Sequence, residues 1–340
     1  MPASLKVGVI GLGRMGQLYT RLLATRITGV TLYAIAEIDT SARQRAVAEF
    51  SIPHACSEVE ELLALPELDA VVIATPTSTH AELVKAAARA GKAIFCEKPL
   101  ALTIEETQAV LDVVEQVQVP LQVGFMRRFD TAYQEAKALI AAGRIGEPVT
   151  FKAVSRDPFC PRREFSDPAK SGGLIMDMGI HDFDLARWLM GSEVERVTAE
   201  GTILVCKELA EVGDIDNAVV NLRFRNSALG NVEVSRNAFY GYDIRTEILG
   251  SEGALQIGRH QHTPLLLLTR AGAQHDVTPY LMERFGDAYH TQLQHFAQCL
   301  HDRVAPAVGG ADALAACTIA VAATQAYQTG QRIDLAALAS

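Results

Sequence analysis

Asp177, His181 and Asp184 stand in GGLIMDMGIHDFDLARWLMG, residues 172–191, a stretch otherwise apolar nearly all round. At about 100° per residue, these three and Trp188 fall within about a 60° arc of a single helix. Met176, Met178, Ile180, Phe183, Leu185 and Leu189 occupy most of the remaining circumference, which predicts a buried helix. Ionisable groups inside a protein are costly unless paired or used. An Asp and a His four residues apart share a face, and the chemistry they suit is proton transfer, with the carboxylate orienting an imidazole base. A metal site is the competing chemistry; no third ligand of suitable spacing is evident, and no metal is predicted.

A second set of residues follows the first apolar run. In VGVIGLGRMG, Gly11, Gly13 and Gly16 come directly after a predicted strand and open a predicted helix. Glu37, in LYAIAEID, ends the next strand 21 residues past Gly16. Glycines there let the backbone approach a pyrophosphate, the helix N-terminus stabilises its charge, and the carboxylate takes ribose hydroxyls. Glu37 followed by Ile38 favours NAD over NADP, since a carboxylate repels a 2′-phosphate; Arg43 is the nearby cation that weighs the other way. A third set, Glu97, Lys98 and Pro99 in CEKPL, stands at the C-terminal end of another strand, the edge of an open parallel sheet where ligands gather.

The elements that must position these residues change character along the chain. Up to about residue 124, short apolar runs (KVGVIG, TLYAIAE, DAVVIAT, AIFCEKP, PLQVGF) alternate with stretches of helical periodicity. That rhythm predicts a doubly wound parallel sheet of the Rossmann type over 1–124, covered by helices on both faces. After about 148, PVTFKAVSRDP, EVERVTAEGTILV, IDNAVVNLRF, ALGNVEVSRN, DIRTEILGSEG and PLLLLTR alternate at period two. Residues 125–340 are therefore expected to form an α+β domain, for substrate binding and oligomerisation. Its sheet is expected to be open and largely antiparallel, with helices on one face. No flexible linker marks the boundary, so tight packing with a cleft is expected.

With 340 residues, 49% of them hydrophobic and 21% charged, two ordinary domain cores are affordable. A net charge of −9 argues against a nucleic-acid partner. No run approaches the roughly 18–20 apolar residues needed to span a bilayer, and the start carries no leader pattern, so a cytoplasmic protein is expected. The six cysteines (Cys56, Cys96, Cys160, Cys206, Cys299, Cys317) are scattered without a C-x-x-C pair, and are expected to be reduced, buried small hydrophobes.

Residues 7–16, ATPTSTH at 74–80, CEKPL at 96–100 and GGLIMDMGIHDFD at 172–184 resemble the Gfo/Idh/MocA oxidoreductase family, most closely its inositol 2-dehydrogenase branch. GFMRRFD, SRDP, YGYDIRTEILGSEG and RFGDAY resemble the same branch, so the similarity covers essentially the whole chain. The resemblance implies that Lys98, Asp177 and His181 are catalytic. It implies cofactor contacts from Gly11, Gly13, Arg14, Met15, Gly16, Glu37, Ile38, Thr75, Pro76, Thr77, His80, Glu97 and Lys98. Besides the catalytic three, it implies substrate contacts from Met126, Arg127, Asp157, Asp184, Tyr240 and Tyr289, with Tyr242 the alternative to Tyr240. Glu37 stands where Asp is commoner and keeps the carboxylate. A homotetramer is also implied.

These observations converge on NAD-dependent oxidation of a secondary ring hydroxyl of a cyclic polyol, myo- or scyllo-inositol to the inosose. His181 is the expected base, Lys98 the donor to the reacting oxygen and Asp177 the orienting carboxylate. A dehydrogenase of a related pyranose such as glucose is the alternative enzyme. A nicotinamide-sensing regulator on the same fold would have no need of Lys98, Asp177 and His181 together, and a purely structural dimerisation module would not need the glycine loop.

Overall fold

The computed structural model describes residues 4–338. Its chain forms two compact units. One runs to Phe125 and takes in Tyr289–Leu314; the other comprises Met126–Ala288 and the chain from Ala315 onward. The return of 289–314 to the first unit is not visible as a break in the sequence pattern, which assigns it to the second domain.

The first unit is built on six parallel strands: β1 (Leu5–Ile10), β2 (Val30–Ala36), β3 (His54–Cys56), β4 (Ala70–Ile73), β5 (Ala93–Cys96) and β6 (Leu121–Val123). Their order is β3-β2-β1-β4-β5-β6, so the direction of winding reverses between β1 and β4. β4 and β5 are buried at every residue, as strands covered on both faces must be. β3 is the strand that the apolar pattern misses, because the edge segment HAC needs no continuous apolar run. The strands are parallel, so the segments after β1, β2, β4 and β5 all emerge at one edge of the sheet, and the glycine loop, Glu37, Thr75–Thr77 and Lys98 follow those four strands. The helix Arg14–Thr25 packs against β1 through Gly16, where a Cβ would lie 1.9 Å from the Gly11 carbonyl oxygen.

The second unit carries a sheet with β7 (Pro148–Arg156), β8 (Val194–Thr202), β9 (Asn217–Phe224), β10 (Leu229–Ser235), β11 (Asp243–Gly250), β12 (Ala254–Ile257) and, beyond a two-stranded hairpin β13 (Leu267–Thr269) with β14 (Gly272–Gln274), the short β15 (Ile333–Asp334). Its order is β12-β11-β7-β10-β9-β8-β15. All neighbours are antiparallel except β7 and β10. Burial alternates along β9, with Ala218, Val220, Leu222 and Phe224 inward, and the helix Gly179–Met190 packs against β7 and β10. The opposite face leaves Val219, Leu229 and Leu249 exposed.

Two sequence expectations are corrected here. The stretch 172–191 is not one helix but two, Gly173–Asp177 and Gly179–Met190, with Met178 between them. Gly173 sits at φ +75°, and a Cβ there would lie 2.8 Å from Asp214 Oδ1, so a tertiary contact shapes the start of the first piece. The cysteines are not all reduced: Cys160 and Cys206, 46 residues apart, form a disulfide with 5.6 Å between Cα atoms, while Cys56, Cys96, Cys299 and Cys317 are not disulfide-bonded. Among the described residues no helix is long and apolar enough to cross a membrane.

Candidate active site

Around the glycine loop the backbone is arranged to receive an anion. Gly13 caps the helix Arg14–Thr25 without a side-chain hydrogen bond, and no acidic residue stands in the first turn. A Cβ built at Gly13 meets nothing within 4 Å, so the space over the loop is open. The Glu37 carboxylate accepts from the Leu12 amide at 2.6 Å and the Asp39 amide at 2.9 Å, joining the loop to the end of β2. Arg43 donates to the Glu37 carbonyl and to Thr40 Oγ1, so its guanidinium is engaged by the β2–helix turn. Ile38 is 85% exposed beside it. An uncapped helix start, an open glycine and a carboxylate at the β2 end fit a dinucleotide whose ribose carries a free 2′-hydroxyl.

Lys98 follows β5 within a hydrogen-bonded frame. The buried Glu97 carboxylate accepts from the Tyr19 hydroxyl and from the Lys98 amide at 3.1 Å. Tyr19 accepts in turn from Gln292 Nε2 at 2.8 Å, and its ring packs edge-on against Phe95 and Tyr289. Burial pushes Glu97 above the ordinary carboxylate range, against the opposing pull of the Tyr19 hydroxyl and the Lys98 charge. His80, read as a cofactor contact, is buried with Nδ1 2.7 Å from the Pro99 carbonyl and Nε2 2.9 Å from the Thr75 carbonyl. Burial lowers its pKa and the Lys98 charge works in the same direction, so the ring is neutral and ties the Thr75 loop to the Lys98 loop. Thr75 and Thr77 are half-buried and Pro76 is exposed in that loop. Tyr289 supports Tyr19 within this unit, where the resemblance implies a substrate contact.

In the second unit, Asp177 ends the short helix Gly173–Asp177 and His181 stands in the first turn of Gly179–Met190. His181 is buried, whereas the Asp177 side chain is 39% exposed. Asp177 Oδ2 lies 3.4 Å from Arg236 Nη2. Asp184, expected to meet substrate hydroxyls, is instead buried in a forked pair with Arg128, whose Nε reaches Oδ2 at 2.8 Å and Nη2 reaches Oδ1 at 2.5 Å. The Arg128 guanidinium also covers the Trp188 ring, with 5.6 Å to the centroid. Arg127 is buried against Asp182 at 2.6 Å and Ser155 at 3.1 Å. Burial works against its charge, yet Asp182 more than compensates, and Arg127 stays a firm cation. Met126 precedes it in the same buried turn, Met126–Phe129. Tyr240 is 48% exposed and bonds Asp243 at 2.6 Å and Arg156 at 3.0 Å. Tyr242 is the buried one: burial raises its pKa, the Arg127 charge opposes, and the Asp157 charge adds to the rise. Tyr242, not Tyr240, therefore shares surroundings with Arg127 and Asp157. Among the described residues no group of three His, Cys, Asp or Glu side chains could hold a metal ion.

The chain matches the model "Oxidoreductase family, NAD-binding Rossmann fold" over residues 5–125 and "Oxidoreductase family, C-terminal alpha/beta domain" over residues 137–335. The chain belongs to the Gfo/Idh/MocA oxidoreductase family. This family member is 39% identical over 335 residues to scyllo-inositol 2-dehydrogenase (NAD(+)) of Bacillus subtilis, covering 98% of this chain and 97% of that one. It is 37% identical over 332 residues to myo-inositol 2-dehydrogenase of Thermotoga maritima, covering 97% and 98%. The solved structure of scyllo-inositol dehydrogenase from Lactobacillus casei, with bound NAD(H) and scyllo-inositol, superposes with a TM-score of 0.93 at 29% identity, covering 98% and 99%.

Asp182, Arg128, Asp214 and Arg236, which pair with Arg127, Asp184 and Asp177 or with one another in this Gfo/Idh/MocA family member, were missed in the sequence. For Asp182 and Asp184 a signal existed: a carboxylate on a buried helix needs a cation. The partners, 55 and 56 residues earlier in the chain, carried no local mark.

Proposed function

We propose that this protein is an NAD-dependent inositol 2-dehydrogenase, oxidising a secondary ring hydroxyl of myo- or scyllo-inositol to the ketone. The observation that carries the reading is the pairing of an open, uncapped glycine loop with an Asp177–His181 site in one chain. Full-length relatives that bear inositol dehydrogenase names support the substrate class. His181 takes the hydroxyl proton, and Asp177 orients the imidazole and touches a neighbouring hydroxyl. Lys98 donates to the reacting oxygen and stabilises the negative charge that develops there. Bound NAD would supply the hydride-accepting chemistry at the same carbon. The glycine loop and Glu37 hold the dinucleotide, Thr75, Pro76 and Thr77 line its path, and His80 and Glu97 fix the loops that present it. Arg127, Asp157 and Tyr242 shape the polyol side.

The test is NADH formation with a panel of inositols and hexoses, including glucose. Turnover of myo- or scyllo-inositol at kcat/KM at least tenfold above any hexose is expected; preference for a pyranose would replace the substrate, and no turnover of any polyol would overturn the enzyme reading. We further propose a cytoplasmic homotetramer. The exposed Val219, Leu229 and Leu249 on the open sheet face support self-association, and a monomeric mass by light scattering would reject it.

A further inference from the structure

We propose that Arg236 is a positioning residue for the reaction, clamping the Asp177 carboxylate beside His181 through a shared contact with Asp214; the proposal rests on the dehydrogenase reading above. Arg236 follows β10 and is 2% exposed, so its guanidinium must be matched inside the protein. Nη1 donates to Asp214 Oδ2 and Nη2 lies 3.4 Å from Asp177 Oδ2. Asp214, itself buried, also accepts from the Leu174 amide at 2.9 Å through Oδ1. A single carboxylate thus holds both ends of the short helix Gly173–Asp177: its first turn directly, and its last residue by way of Arg236. The Arg236 backbone is fixed as well, its amide donating to the Asp216 carbonyl at 2.9 Å.

Such a clamp has a purpose at this position. Five residues make little more than one turn, too short to hold a side chain by helix cooperativity alone. The Arg236 contact restricts the partly exposed Asp177 carboxylate. A fixed cation beside it also favours the ionised form, so that the proton taken from substrate stays on His181 and does not pass to Asp177. Among the charged and titratable groups near that carboxylate are Arg236 from the end of β10, with Asp214 behind the guanidinium, and His181 stands four residues on in the next helix.

The experiment uses the full-length enzyme with NAD and scyllo-inositol or myo-inositol. Arg236→Met should lower kcat by about ten- to a hundredfold, the scale of losing the aim of one catalytic group, with KM changed less than about threefold. Arg236→Lys should restore most of the rate. The acid limb of kcat/KM should move to higher pH in Arg236→Met, because a cation is lost, and stay near wild type in Arg236→Lys. Asp214→Asn leaves all of the guanidinium's charge to Asp177, so it should move the limb to lower pH. That opposite shift keeps the test decisive if Arg236→Met fails to fold, since a purely structural role moves neither limb. Asp177→Asn with Arg236→Met should be no slower than Asp177→Asn alone. Independent losses that multiply, a normal kcat in a folded Arg236→Met enzyme, or limbs that stay in place would overturn the proposal. Near-normal activity of Asp177→Asn by itself would instead reject the underlying reading, whereas a crippled Asp177→Asn beside a normal Arg236→Met rejects the clamp alone.

Discussion

Beside Lys98, the buried Glu97 carboxylate takes its hydrogen bonds from neutral groups, the Tyr19 hydroxyl and the Lys98 amide. Around His181, the buried carboxylates Asp182, Asp184 and Asp214 each meet an arginine: Arg127, Arg128 and Arg236. The difference follows from the elements involved. Past the end of a strand, backbone amides are available to a carboxylate, and a phenol from the adjoining helix completes the set. Within a helix the amides are already used, so Asp182 and Asp184 must find side-chain donors, and the guanidinium fork supplies several at once. The first arrangement tolerates small charge changes; the second holds opposite charges out of water and breaks at greater cost when one partner is removed.

The comparison is broken most directly through the chemistry on each side. His181→Ala should reduce kcat/KM for polyol oxidation by roughly 10²–10⁴ and flatten its acid limb. Lys98→Met should lower kcat by about 10²–10³ while NAD binding by calorimetry survives. Near-normal turnover in either folded variant would remove that residue from the reaction. On stability the two sides should differ in size. Asp184→Asn, which strands the Arg128 charge, should cost about 3–5 kcal/mol, whereas Tyr19→Phe, which removes one neutral donor, should cost about 1–3 kcal/mol. Denaturant melts that show equal losses would erase the distinction.

A finer test is cofactor choice, which depends on the first unit alone. Glu37→Ser with Ile38→Arg should narrow or reverse a preference for NAD over NADP in kcat/KM. A wild-type preference for NADP would contradict the role of Glu37. The smallest effect concerns pH. Burial raises Glu97 above its ordinary value of 4.5, so its share of stability is present below that pH and is lost as pH rises through the folded value. Glu97→Gln removes that loss, and the melting temperature of the variant relative to wild type should climb as pH rises from about 4.5 through the folded value. A constant difference would mean that Glu97 does not titrate in that range.

Much of the first unit was legible because its signals are local. β1, β2, β4 and β5 each bury a continuous apolar run, β6 buries Leu121 and Val123 about Gln122, and the glycines sit where a strand must turn into a helix. β3 escaped because an edge strand of three residues needs no such run. In the second unit the period-two strands were legible except PLLLLTR, of which only Leu267–Thr269 pairs, in the separate hairpin; the parallel pairing of β7 with β10, which joins segments about 80 residues apart, was not legible either. The helical arc through Asp177, His181 and Asp184 correctly marked a stretch where charge had to be explained. It could not separate the partly exposed Asp177 from a buried, paired carboxylate: Asp184 lies on the second helix and belongs to Arg128.

By itself, the sequence determined which side chains could do the chemistry and which strands would carry them, because periodicity, glycine placement and residue type act over a few positions. Only the tertiary structure decided how each charge is matched: Arg127 with Asp182, Arg128 with Asp184, Arg236 between Asp214 and Asp177, and Cys160 with Cys206. The break at Met178 and the return of Tyr289–Leu314 to the first unit were decided there too. The physical reason is that a buried charge can be satisfied by any cation the fold brings within about 3 Å, and which cation arrives depends on long-range packing that leaves no mark on neighbouring residues.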